Sequence, residues 1–139
     1  MTKKFKGGKH GRDVINIFKK PAMDFFFQWV LDMSTNGGST VGECFSAASK
    51  IKEGDTESWA RNWDKLGSYV QKIVENSLRN NHTVSVRESF LRAYTYYRVS
   101  VLFLSPFEES RYKEYLSKAR SFFKQALCRS QYRTNIHYA

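Results

Sequence analysis

The sequence predicts an all-α fold, an antiparallel bundle of about five helices with no sheet. Three observations carry that prediction. Apolar residues recur at three- and four-residue spacing in every long segment, most cleanly over Thr56–Arg79. Helix-start and helix-stop residues fall between those segments. No stretch alternates apolar and polar residues as a half-buried strand would. At 139 residues the chain suits one domain with a real core, whose helices are joined by short loops.

Residues 1–12 carry glycines without periodicity and read as a disordered basic tail. The helical domain is expected over 13–130, with 131–139 as a tail. Asp13 is placed to cap a short helix, Val14 to Lys19. Pro21 suits the first turn of the next, Ala22 to Met33. There Met23, Phe26, Phe27, Val30 and Leu31 share one side, broadened by Phe25 and Trp29. A helix this apolar is buried on more than one side or covers something outside the chain.

TNGGST is a loop by composition. Thr40 and Glu43 form a capping box for a helix running to about Lys52, with Val41, Cys44, Phe45, Ala48 and Ile51 as its apolar positions. Gly54 is a left-handed stop and Asp55 a cap for Thr56–Arg79. That long helix keeps Trp59, Trp63, Leu66, Val70, Ile73, Val74 and Leu78 on one face. Asn80, Asn81 and His82 make a polar turn.

The central helix, Ser85–Leu104, opens on a second capping box, Ser85 with Glu88. Phe90, Leu91, Tyr94, Tyr97, Val101 and Leu102 form its stripe, and Ala93 leaves room for a close neighbour. Pro106 ends it. Glu108 and Glu109 favour the positive end of a last helix, whose core face is Tyr112, Tyr115, Leu116, Ala119, Phe122, Phe123, Ala126 and Leu127. The pattern lapses from Ser130.

No apolar run approaches the roughly 20 residues that cross a bilayer, and the basic start has no apolar segment of a secretory signal. The expectation is a cytoplasmic protein, with no membrane partner and with Cys44 and Cys128 reduced. Of the net charge of +10, residues 1–20 carry +6, from seven cations against Asp13. No zinc-finger, recognition-helix or RNA-binding signature accompanies that charge, which argues against a nucleic-acid partner.

The chain offers no constellation for chemistry. Gly37-Gly38-Ser39-Thr40-Val41 lacks the last glycine of a nucleophile elbow and the strand before it. GGKHGR lacks the ending of a P-loop. His10, His82 and His137 have no second metal ligand at helical spacing. Paired acids at helix starts serve the dipole. No catalytic residue, metal site or cofactor is therefore expected. Trp59, Trp63, Tyr94 and Tyr97 either pack the core or line an apolar cavity, since such rings combine area with a polar handle.

Three segments stand in a recognisable order: NGGSTVGECFSAASKIKEGDTESWARNW, NNHTVSVRESFLRAYTYYRVSVLFL, and the aromatic helix leading to KQAL. Gly38 to Glu43, Gly54-Asp55 with Trp59 and Trp63, and Ser85 through Arg92-Ala93 to Tyr96-Tyr97-Arg98 carry the likeness. Over roughly residues 23–128 the chain resembles the N-terminal helical region of a group of α/β-hydrolases. The group includes bacterial 2,6-dihydroxypseudooxynicotine hydrolase and fungal pigment-pathway polyketide-shortening hydrolases, with relatives described as dipeptidyl aminopeptidase or acylaminoacyl-peptidase-like. Val86 and Thr95 depart from its pattern.

The resemblance implies a helical cap over a C-terminal catalytic α/β-hydrolase domain. That domain would supply the serine, acid and histidine for cleaving an acyl or carbon–carbon bond of a small-molecule substrate. The β-rich segment expected after Tyr132 is missing, so the resemblance implies a truncated chain, inactive alone, with 131–139 as a shortened link. Trp59, Trp63, Tyr94, Tyr97 and Arg98 are the expected pocket-lining residues, Arg98 as a cation for a carboxylate or phenolate, or else in a surface ion pair. The alternative is a repeat-like helical adaptor that binds protein, although no period near 34 residues is present. Homo-oligomerisation stays open.

Overall fold

The computed structural model describes residues 16–80, 83–107 and 110–134. Among them are five α-helices, a single 3-10 turn and no strand. The helices are α1 (Pro21–Asp32), α2 (Val41–Ala48), α3 (Thr56–Arg79), α4 (Thr83–Ser100) and α5 (Ser110–Thr134), with the 3-10 turn at Met33–Asn36. The helical bundle predicted from periodicity is the observed architecture.

The expected punctuation is in place around α2 and α3. Pro21 opens α1, where its missing amide costs nothing. The Thr40 side chain accepts from the Glu43 amide at 3.3 Å, and Asp55 Oδ1 accepts from the Ser58 amide at 2.9 Å. Gly54 has φ +76°, the left-handed stop that a side chain would resist. α2 stops at Ala48, short of Lys52, because α3 pulls its exit aside. Asn62 Nδ2 takes the Lys50 carbonyl at 3.2 Å, and Ser58 Oγ takes the Lys52 amide at 3.0 Å.

Helix α4 lies between α3 and α5. Trp59 meets Val99, Trp63 meets Tyr96 and Val74 clusters with Val86 and Phe90, so α3 and α4 run antiparallel. Tyr97 meets Tyr115 and Phe90 meets Arg129, so α4 and α5 do too. Sandwiched in this way, α4 is buried on two sides. Val86, Phe90, Ala93, Tyr96, Tyr97 and Val99 are all inaccessible, as are Ser89, Thr95 and Ser100. Ala93, expected to leave room for a neighbour, is fully buried, and a close approach lies at Gly67 of α3. A Cβ on Gly67 would sit 3.2 Å from the Tyr97 ring.

Several boundaries differ from the sequence reading, each for a visible reason. α4 begins at Thr83, so Ser85 lies inside its first turn and is not its cap. It ends at Ser100, not Leu104. The Trp59 indole donates to the Val99 carbonyl at 2.9 Å, sharing it with the Leu102 amide at 3.3 Å, and the chain tightens into three-residue turns. Residues 16–19 are not helical. Their amides are taken by side chains: Ile17 and Phe18 donate to Asp24 Oδ1 at 2.7 and 3.0 Å, Lys19 and Lys20 to Glu53 at 3.0 and 2.8 Å. α5 continues to Thr134, past the expected lapse at Ser130. As an edge helix packed chiefly on α4, it fully buries a narrow stripe, Ala119 and Ala126, with Tyr112, Tyr115, Leu116 and Phe122 partly covered. Phe123 and Leu127, expected in the core, are 40% and 49% exposed. The basic tail, residues 13–15, Glu108, Glu109 and residues 135–139 lie outside the described residues.

Candidate functional site

Trp59 and Trp63 follow one another on the buried face of α3, one helical turn apart, with ring centroids 5.7 Å from each other. Both are fully inaccessible. The Trp59 indole is satisfied by Val99, whereas the Trp63 Nε1 has no hydrogen-bond partner among the described residues. Trp63 stacks on Tyr96 at 5.9 Å with 28° between planes.

Tyr97 turns to the other side. Its ring lies parallel to Phe122 at 5.8 Å and fills the space above Gly67. Its hydroxyl donates to Gln71 Oε1 at 2.9 Å and is 3.2 Å from Ser68 Oγ. Lys118 Nζ sits 5.3 Å from the ring centroid and pairs with Glu114 at 2.7 Å. Burial raises the Tyr97 hydroxyl above the ordinary phenol range, with Ser68 opposing. Burial also raises the Asp64 carboxyl, against a hydrogen bond from Tyr115. Tyr94 is half-buried, its ring 4.9 Å from Phe123. Arg98 is half-buried and has no ion-pair partner among the described residues. The five expected site residues thus separate into a tryptophan pair on α3 packed against α4, Tyr97 wedged between α3 and α5, and Tyr94 and Arg98 half-buried on α4, with Tyr94 against Phe123 of α5. None of them lines the two surface hollows found. One hollow, about 430 Å³, lies between α2 and α3 beside Glu43, Asn62 and Tyr69. The other, about 670 Å³, lies outside α1 beside Phe18, Phe25 and Trp29.

The structure adds a polar cluster that the sequence did not reveal. A capping box would return Glu43 to the Thr40 amide. Here the Tyr96 hydroxyl is inserted between them. It accepts from the Thr40 amide at 3.0 Å and donates to Glu43 Oε2 at 2.6 Å. Arg92 Nε lies 3.5 Å from the same oxygen, at ion-pair distance but outside hydrogen-bond geometry. Burial, and then the bond to Glu43, drives the Tyr96 hydroxyl far above the phenol range. Next to it, burial pushes the Cys44 thiol up to about 11, although Ser39 opposes the shift. Ser39 Oγ is itself committed to the Val30 carbonyl at 2.6 Å. The thiol is therefore protonated and inaccessible, and the hydroxyl is held as a donor. This arrangement fixes α2 to α4; it does not activate a nucleophile. No local spacing links Tyr96 to a loop 56 residues earlier.

Among the described residues, no group of three or more His, Cys, Asp or Glu side chains is placed to hold a metal ion. No described helix is long and apolar enough to cross a membrane. Both cysteines are free, Cys44 buried and Cys128 exposed.

No protein-family model matches the chain. Curated proteins do. The hydrolyase poxO of Penicillium oxalicum is 36% identical over 83 residues, 60% of this chain and 20% of that protein. The alpha/beta hydrolase pydG of an Acremonium species is 32% identical over 103 residues, 74% of this chain and 24% of that protein. The 20-hydroxy-prefusarin hydrolase FUS2 of Gibberella moniliformis is 31% identical over 88 residues, 63% of this chain and 21% of that protein. The chain spans about a fifth of the length of these curated relatives. It is therefore a relative of the fungal α/β-hydrolases, related to them through a helical segment.

Proposed function

We propose that the chain is the helical cap, or lid, of a serine α/β-hydrolase. It would shape the substrate pocket for hydrolysis of an acyl or carbon–carbon bond without being catalytic alone. The observation that carries this reading is the partial match itself. The likeness to named hydrolases covers about a fifth of their length, while the described residues include helices and no strand and Ser39 sits in no nucleophile elbow. The partner is a C-terminal catalytic α/β-hydrolase domain carrying the serine, acid and histidine. The chain contributes shape and exclusion of water, as lids do.

In this reading Tyr94 and Arg98, half-buried on α4, face the substrate side. Arg98 offers its cation to a carboxylate or phenolate. Trp59, Trp63 and Tyr97 hold the pocket wall from behind, because their rings are fully buried. The test is to expose the 139-residue chain to a fluorophosphonate probe and an activated ester. The expected result is neither serine labelling nor turnover. Labelling of one serine accompanied by ester turnover overturns the reading.

A further inference from the structure

Residues 16–20 form a strap that is neither helix nor strand, yet its amides are held in place. Four successive amides, from Ile17 to Lys20, point at two carboxylates from separate parts of the chain, Asp24 on α1 and Glu53 in the turn before α3. The strap crosses that turn where Gly54 leaves room; a Cβ there would lie 3.2 Å from Lys20 Cε. Only one strap side chain goes inward. Asn16, Ile17, Lys19 and Lys20 are exposed, whereas Phe18 is 4% exposed. The Phe18 ring meets Phe27 at 5.7 Å and Trp59 at 5.8 Å, edge-on to both. On its outer side the strap borders the 670 Å³ hollow beside α1, into which Phe18 also contributes surface.

From this geometry we infer that the strap is a releasable latch and that Phe18 occupies a latent binding slot for a small aromatic group. Three features lead there. Phe18 is the one strap side chain that is buried; of the four hydrogen bonds, the two to Asp24 are shielded and the two to Glu53 are exposed, so the Glu53 end can open locally below the global unfolding limit. Its departure leaves Phe27 and Trp59 as the walls of an aromatic slot the size of one phenyl ring. The adjoining hollow gives a ligand a way in without disturbing α3 or α4. The ligand class follows from the walls: an uncharged single-ring aromatic, bound edge-on as Phe18 is. This inference stands independently of the cap reading.

The test uses the full 139-residue chain with benzene as the probe, read by the Trp59 indole N–H resonance and by amide hydrogen exchange. In Glu53→Ala the amides of residues 19 and 20 should exchange at least tenfold faster, while those of Val70 and Val99 stay unchanged. The apparent affinity for benzene should rise by the same factor as the open population. Phe18→Ala, which empties the slot without touching the latch carboxylates, should bind benzene with the strap amides still protected. The inference is overturned by any of three results. Strap amides exchange in step with Val70 and Val99 in both proteins; faster strap exchange brings no gain in benzene affinity; or Phe18→Ala shows no Trp59 shift at benzene saturation.

Discussion

Replacing Tyr96 with phenylalanine removes one oxygen and leaves the ring stacked on Trp63. The loss is therefore polar and can be worked from two contacts. The Thr40 amide loses its acceptor, and Glu43 Oε2 loses a 2.6 Å donor. An unsatisfied, partly buried amide costs about 1–3 kcal/mol, and a hydrogen bond to a charged group contributes about 1.5–3 kcal/mol. Glu43 keeps Arg92 at 3.5 Å and some access to water, so the lower ends apply and the total is about 2–3 kcal/mol. For a domain of this size each kcal/mol shifts Tm by roughly 3–5 °C, so Tm should fall by about 6–15 °C. Urea unfolding should show a lower midpoint with an unchanged slope. In a double-mutant cycle with Glu43→Gln, the two changes should couple by at least about 1 kcal/mol. A Tyr96→Phe chain within about 0.5 kcal/mol of the original would refute the claim that this hydroxyl joins α2 to α4.

Gly67→Ala should destabilise the chain by about 1–2 kcal/mol in urea, because the Tyr97 ring lies 3.2 Å from the new Cβ and overpacking outweighs the gain in helix propensity. In native buffer at pH 8, iodoacetamide should modify Cys128 and spare Cys44, whose thiol is buried and raised to about 11; peptide mass spectrometry reads the result. Folding raises the Cys44 thiol from about 9 to about 11, so the folded state binds more protons between those pH values and stability should fall as pH rises through that window. Tyr96 and Tyr97, raised by burial, act in the same direction at higher pH. Glu57→Gln should change stability by less than about 0.5 kcal/mol even though Arg111 grips Glu57 at 2.8 and 2.9 Å, because the pair is exposed.

What was legible in the sequence was what short-range chemistry dictates. Asp55, Gly54 and Thr40 cap or stop helices through bonds within three or four residues, and α3 spans the predicted range. The long-range uses of the same groups were not legible. Nothing near Asp24 or Glu53 announces that their carboxylates will gather the amides of residues 17–20 and exclude a helix there. The capping box at Thr40 was readable, but its bridging hydroxyl comes from Tyr96, 56 residues away. Trp59 was readable as a large ring on a buried face, whereas its capture of the Val99 carbonyl, which ends α4 early, depends on the register of two helices. Phe123 and Leu127 match helical spacing on α5, yet spacing does not say how wide a stripe the neighbouring helix will cover.

The cap reading is tested most directly by replacing the matched segment of the hydrolyase poxO with the corresponding residues of this chain and measuring ester turnover. The hybrid should keep its probe-reactive serine, and Tyr94→Ala or Arg98→Ala should change KM or kcat at least fivefold while leaving that labelling intact. A folded, labelled hybrid whose turnover is indifferent to both substitutions would contradict it.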